Sequence, residues 1–196
     1  MAHTDRDSLL ALFRRSGALL DGHFRLSSGL HSNGYLQCAL VLEDPQTAGA
    51  LGALLAERVR HLFPVTVLSP ALGGVIIGHE VARGLGVRAI FAERQDGRLL
   101  LRRGFSVAPG EHVVVVEDVV TTGLSTRETI EVARAAGAEV IGAAALVDRS
   151  GGSASLDVPF AALLAVDLPT WDPASCPLCA QGLPIVKPGS RTPSVS

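Results

Sequence analysis

Glu117 and Asp118 are adjacent carboxylates at the end of an apolar run, Val113-Val114-Val115-Val116, and Thr121-Thr122-Gly123-Leu124-Ser125-Thr126 follows almost at once. Four β-branched apolar residues in succession read as a strand buried on both faces, as in the middle of a parallel sheet. Ligands of open α/β sheets bind at the carboxyl ends of such strands, where the two acids fall. The hydroxyl-rich turn opens a helix, and Ser125-x-x-Glu128 has the spacing of a capping box that would set the helix start. Backbone N–H groups of that turn and of the first helical turn would converge on an anion. Acids suited to ribose hydroxyls beside a cradle for phosphate describe a sugar-phosphate site. The turn lacks the Gly-Lys-Ser/Thr of a Walker loop, and the chain has no G-x-G-x-x-G dinucleotide turn.

This fourteen-residue run, Val113 to Thr126, resembles the phosphoribosyl pyrophosphate (PRPP) signature of the type I phosphoribosyltransferases. The resemblance implies that Glu117 and Asp118 hold the ribose hydroxyls. It implies that Val120, Thr121, Thr122, Gly123, Leu124 and Ser125, with Thr126 behind them, hold the 5-phosphate. Ser69-Pro70-Ala71-Leu72-Gly73-Gly74 lies between a second strand and its helix. In the resembled family this is the pyrophosphate loop, which assigns Ala71, Leu72 and Gly73 to PRPP. Two glycines would allow the backbone to approach the leaving group. Mg²⁺ is the implied cofactor, neutralising pyrophosphate.

A finer resemblance lies in Phe24 to Gln37, which is similar to the amino-terminal segment of orotate phosphoribosyltransferases, with Leu26-Ser27-Ser28-Gly29 and then Tyr35. It implies a lid in which Ser27 and Tyr35, together with Thr121 of the phosphate loop, meet a pyrimidine base. In the same enzymes an arginine at the position of Arg149 pairs with the carboxylate of orotate. A guanidinium fork is suited to that task through two parallel hydrogen bonds. Residues 93–103 form a basic hairpin where the family carries a mobile basic loop that closes over pyrophosphate, often in a neighbouring subunit. Arg94 aligns best with the catalytic basic position and Arg98 is a further PRPP ligand, with Arg103 an additional candidate. The hairpin departs from the family in having neither lysine nor histidine.

Taken together, these likenesses imply transfer of phosphoribose from PRPP to orotate by a cytoplasmic homodimer. Two alternatives stand beside that reading: a phosphoribosyltransferase for a purine or another pyrimidine, and a non-enzymatic PRPP-sensing regulator. Cys176-Pro177-Leu178-Cys179 is a lone C-x-x-C with no second pair to complete a zinc site. Packing or a disulfide is its expected role, the histidines show no metal spacing, and no metal ligand is assigned among the site residues.

Strands alternating with helices point to an α/β fold with a parallel sheet. The resemblance implies that it is of the type I phosphoribosyltransferase class: a central parallel sheet flanked by helices, with a small amino-terminal hood. One domain spans 1–196, residues 1–40 supplying a helix (Thr4 to Ser16) and the hood, and 187–196 a flexible tail. Asp44-Pro45 starts a helix running to about Leu62. Strands are expected at 65–68, 87–93, 113–117 and 140–147, with 99–103 pairing back across Gln95-Asp96-Gly97, and helices at 74–85 and 125–136. A length of 196 residues supports one full core. A net charge of −2 with a pI near 6.3 argues against general nucleic-acid binding. No apolar stretch approaches the roughly 18 residues of a membrane helix. Sixteen of the 17 basic residues are arginine, so any lysine of a related enzyme must be replaced or missing here.

Overall fold

The computed structural model describes residues 5–26 and 28–188. Ser27 and nearly all of the tail assigned to 187–196 lie outside the described residues.

Two helices start on side-chain caps. The Asp5 carboxylate accepts from the Ser8 amide at 2.7 Å and opens α1 (Arg6–Arg15). Asp44 accepts from the Thr47 amide at 2.9 Å, Pro45 takes the first turn, and α3 (Pro45–Val59) follows the short α2 (Ala39–Leu42). A 3₁₀ turn, Arg60–Leu62, ends that segment. Between α1 and α2 the chain forms an antiparallel hairpin, β1 (Leu19–Arg25) and β2 (His31–Leu36).

The doubly wound part runs β3 (Thr66–Pro70), α4 (Gly73–Leu85), β4 (Arg88–Gln95), β5 (Arg98–Leu101), β6 (His112–Val120), α5 (Leu124–Ala135), β7 (Glu139–Asp148) and β8 (Phe160–Ala165). The sheet order is β5-β4-β3-β6-β7-β8, parallel except for the edge pairing of β5 on β4. β6 sits in the interior of the sheet, and Val113, Val114, Val115 and Val116 are all fully buried. Their alternation divides them between two cores. Val114 and Val116 pack with α3 and α4 residues such as Leu55, Ile77 and Val81, whereas Val113 and Val115 pack with Ile130 and Ala133 of α5. No described helix is long and apolar enough to cross a membrane.

Three features depart from the sequence expectation. β6 does not stop at Glu117 but continues pairing with β7 to Val120↔Asp148. β8 follows β7 as a sixth strand; its Phe-Ala-Ala-Leu-Leu-Ala gives no alternation to read. The hood is built from both ends of the chain. β9 (Thr170–Trp171) pairs with β2, and Val186 bridges to β1 beside Phe24. The Cys176–Cys179 segment, a 3₁₀ turn at Pro173–Ser175 leading into α6 (Pro177–Ala180), thereby comes to His23 and His31. The C-x-x-C is not isolated, as its spacing alone suggests.

α3 and α4 cross closely at Gly52. A Cβ there would collide with the Glu80 Cβ and lie 2.7 Å from the Glu80 carbonyl carbon. Overpacking of this kind costs about 1–3 kcal/mol, against a helix-propensity gain of about 0.5–1 kcal/mol for alanine over glycine. Gly52→Ala should therefore lower the melting temperature by several degrees. A melting temperature unchanged or raised in calorimetry would show that α4 shifts freely.

Candidate active site

The site forms where β3 and β6 end. Because β6 runs on to Val120, Glu117 and Asp118 are strand residues held by the pleat rather than loop residues. Glu117 is only 4% exposed, and its Oε1 has no hydrogen-bond partner among the described residues. Burial pushes its pKa up to about 7, opposed by the Ser125 hydroxyl and reinforced by the charge of Asp118. Asp118 is also raised, chiefly by burial, while the Val119 amide donates to its Oδ1 at 2.9 Å and restrains the shift.

The turn after β3 is pressed onto these acids. A Cβ at Gly73 would stand 2.7 Å from both Asp118 carboxylate oxygens, and one at Gly74 would stand 2.9 Å from the Val116 carbonyl oxygen. The close approach therefore requires glycine at both positions. The Ala71 amide donates to the Ala92 carbonyl at 2.7 Å, the Ala71–Leu72 peptide is cis, and Leu72 is 88% exposed. A groove of about 200 Å³ lies between Ala71, Gly73 and Gly74 on one wall and Glu117, Asp118 and Ser125 on the other.

The phosphate-cradle loop is set by backbone geometry rather than by a side-chain cap. Gly123 is the N-cap of α5, with a left-handed φ of 75° that glycine adopts without strain, and no side chain caps the helix. Ser125 is already inside the helix, and Glu128 is engaged by Arg94, so the expected capping box is absent. Arg127 braces the loop by donating to the carbonyls of Thr122 at 3.0 Å and Ser155 at 3.3 Å. Thr121 and Thr122 are exposed beside the first turn, whose amides have no intrahelical acceptor. Thr126 is fully buried, with its Oγ1 lacking a partner among the described residues, and Val120 is buried too and can offer only its backbone.

A second cavity, of about 590 Å³, adjoins the loop. The hood supplies Leu26, Leu30 and Tyr35, the loop supplies Thr121 and Thr122, and Arg149 lies opposite. The Arg149 amide donates to the Val120 carbonyl at 2.8 Å, which ties its backbone to the end of β6. Its side chain is partly buried, and Nε has no partner among the described residues. Burial lowers its pKa, yet a guanidinium keeps its charge. The neighbouring acid does not neutralise it, because Asp148 turns its Oδ1 to the Ser150 amide at 2.7 Å. An unpaired cation therefore lines the cavity, an arrangement suited to an anionic ligand. Leu168 also lines this wall and abuts Gly34, where a Cβ would come within 2.5 Å of Leu168 Cδ2. Leu26 and Leu30 fall in the segment expected to form the lid, whereas nothing in the local sequence marks Leu168 as a lining residue.

The hairpin arginines are not brought to either cavity. Arg94 donates to the Gly97 carbonyl at 2.6 Å and pairs with Glu128, Arg103 pairs with Glu93 through two bonds of 2.8 and 2.7 Å, and Arg98 borders a separate groove between β5 and α5. Within one chain, the expected roles of Arg94 and Arg98 at the acid pair are therefore not seen. Both are committed to hairpin or groove contacts instead.

A carboxyl raised from its ordinary 4.5 to about 7 favours the folded state in its protonated form. Its contribution is complete below pH 4.5 and is lost as pH rises through 7. Glu117→Gln removes that titration. The stability of the variant relative to the parent, free of ligand, should rise across this window by on the order of 3 kcal/mol. Parallel pH profiles from denaturant melts of the two proteins would contradict the burial argument.

Residues 41–171 match the sequence model of the family described as Phosphoribosyl transferase domain. The orotate phosphoribosyltransferase of Desulforamulus reducens is 54% identical over 187 residues, covering 95% of this chain and 98% of that protein. That of Thermotoga maritima is 51% identical over 180 residues, covering 92% and 96%. Among solved structures, orotate phosphoribosyltransferase from Aeropyrum pernix superposes with a TM-score of 0.65 at 28% identity, covering 81% of this chain and 93% of that one. With the acid groove and the arginine-lined cavity set side by side, this agreement over nearly the whole length establishes that the chain belongs to the orotate phosphoribosyltransferase family.

Proposed function

We propose that the chain transfers the phosphoribosyl group of PRPP to orotate, releasing pyrophosphate and forming orotidine 5′-monophosphate. The observation that carries the base assignment is Arg149, a partly buried guanidinium that lines a cavity beside the phosphate loop, its buried Nε without a partner among the described residues. The carboxylate of orotate supplies the missing partner through a bidentate pair. Tyr35 lines the same cavity and supplies an aromatic side chain for the base.

In this reading the amides from Thr121 to Ser125 and the hydroxyls of Thr121 and Thr122 hold the 5-phosphate. That fixes the ribose over Glu117 and Asp118, which accept from its 2- and 3-hydroxyls. As the bond from C1 to pyrophosphate loosens, positive charge develops on the ring. Two carboxylates in a dry groove favour it more than they would in water. The base nitrogen then attacks from the face opposite the leaving group, and no covalent enzyme intermediate is needed. The carboxylates offer hard oxygen donors compatible with Mg²⁺, which when bound offsets the charge of pyrophosphate.

The described lining residues of the acid groove include two carboxylates and no cation, although the leaving group is highly charged. The reading therefore takes the chain as a homodimer in which the hairpin of one copy, through Arg94 or Arg98, serves the site of the other. It also carries a cytoplasmic location.

Arg149→Ala should raise KM for orotate by on the order of 2–4 kcal/mol, because the carboxylate loses its fork. Any weak turnover of uracil, which lacks the carboxylate, should change little, and Arg149→Lys should recover only part of the loss. Equal losses on both bases would make Arg149 structural and remove the base assignment.

Asp118→Asn should keep the fold and lower kcat by about one to three orders of magnitude, roughly 1.4 kcal/mol per tenfold. Mixed with an Arg94→Ala/Arg98→Ala double variant, it should regain activity through hybrid dimers that hold one intact site. Simple additivity of the two residual activities would exclude the shared site.

A further inference from the structure

Outside the active site, His23, His31, Cys176 and Cys179 turn one ligand atom each toward a common point, and these atoms all lie within 4.8 Å of one another. We propose that this cluster is a structural zinc site that fastens the carboxyl-terminal segment to the hood. Its geometry is independent of the reaction assigned above.

The distances are those of a small tetrahedron. His23 Nε2 and His31 Nδ1 are 3.1 Å apart. Cys176 Sγ is 3.5 Å from His23 Nε2, and Cys179 Sγ is 3.7 Å from His23 Nε2 and 3.3 Å from His31 Nδ1. Zinc bonds of about 2.0–2.1 Å to nitrogen and about 2.3 Å to sulfur imply edges of roughly 3.3–3.8 Å between such ligands. Four protein ligands of the N₂S₂ kind make a closed, structural site, for which Zn²⁺ is the fitting ion.

Two further observations favour metal over a hydrogen-bonded cluster. His23 Nδ1 lies 2.9 Å from the Leu183 carbonyl oxygen, to which it can only donate. That leaves Nε2 as a bare lone pair aimed at the centre, with the outer hydrogen bond that metal-bound histidines commonly make. The ligands also converge from distant parts of the chain. His23 and His31 are held on one face of the β1–β2 hairpin, and Cys176 and Cys179 are held at the start and within α6. His23, His31 and Cys176 are buried, while Cys179 is exposed and gives an ion its way in.

The consequence is mechanical. A two-stranded hairpin is marginal alone, and this one carries Leu26, Leu30 and Tyr35 of the second cavity. The carboxyl-terminal segment holds it by two backbone bonds around Val186, the Arg25 amide to the Val186 carbonyl at 2.9 Å and the Val186 amide to the His23 carbonyl at 2.8 Å. Zinc would lock the same two segments together through side chains.

The test is metal analysis of the full chain purified under reducing conditions, with about one zinc per chain expected. The protein stripped by chelator and titrated with Co²⁺ should show the intense visible bands of a tetrahedral site and a thiolate charge-transfer band, both displaced by Zn²⁺. Cys179→Ser, at the exposed corner, should fold and bind Co²⁺ at least about a hundredfold more weakly. Its melting temperature should no longer respond to chelator, whereas that of the parent should fall. If Cys179→Ser does not fold, the Co²⁺ spectrum of the parent decides alone. No tetrahedral spectrum on the reduced parent, iron in place of zinc, or a Cys176–Cys179 disulfide as the isolated state would overturn the proposal.

Discussion

Keeping two adjacent carboxylates dry at the end of an interior strand is the constraint on which the rest of this molecule turns. Burial raises both acids, and Glu117 is left with an oxygen that no described residue satisfies. A core built only for stability would avoid this, since an unpaired buried polar atom costs on the order of 1–3 kcal/mol. The surrounding structure accepts it and holds it in place. β6 is locked between β3 and β7, and the Gly73-Gly74 turn is pressed against Asp118 so closely that no side chain fits. The unmet groups share one logic. Glu117 Oε1 and Arg149 Nε lack partners among the described residues, and on the proposed reading these two side chains meet a polyol and a carboxylate. On that reading the ligand adds to a hydrogen-bond set that the described residues leave incomplete.

Residues whose roles depend on local geometry were legible. The valine run read as a doubly buried strand because every one of its side chains meets a helix layer. Asp44-Pro45 read as a helix start because a cap acts within one turn. Gly73 and Gly74 could be placed because a backbone approach leaves glycine as its trace. Even here the boundary of β6 was short by three residues, since Glu117-Asp118 looks like a strand end when pairing with β7 is not in view. Ser125-x-x-Glu128 failed for the same reason. A left-handed glycine already turns the chain, and Glu128 is taken by Arg94 from a different element.

Contacts that join remote segments were not legible. The hood hairpin contains Gly22 and Gly34 and few β-branched residues, so its strands carry almost no local signal. Its third strand, β9, comes from residues 170–171, and its buried histidines meet cysteines about 150 positions away. A C-x-x-C with two histidines eight residues apart matches no single-segment finger spacing, because the ligand set is assembled by tertiary structure. Arg94 is of another kind: the sequence places it on the hairpin, but only the fold shows Glu128 within its reach.

The division of labour between strands bears on selectivity. The acid pair and the hydroxyl-rich loop belong to β6 and the start of α5, and in the proposed reaction they meet groups common to any phosphoribosyl transfer. Nothing in them distinguishes one base from another. Arg149 leaves the end of β7, one strand over, and its backbone is tied to Val120 of β6. The group proposed to discriminate is therefore registered through the backbone to the groups proposed to react. Discrimination then works by penalty as much as by attraction. A neutral base in that cavity would shield the guanidinium from water without pairing it, and leaving such a charge uncompensated costs more than the contact with the ring returns. Changing the residue that ends β7 could redirect the same sheet to another base without disturbing β6, which is how one chemistry can be kept while the substrate changes.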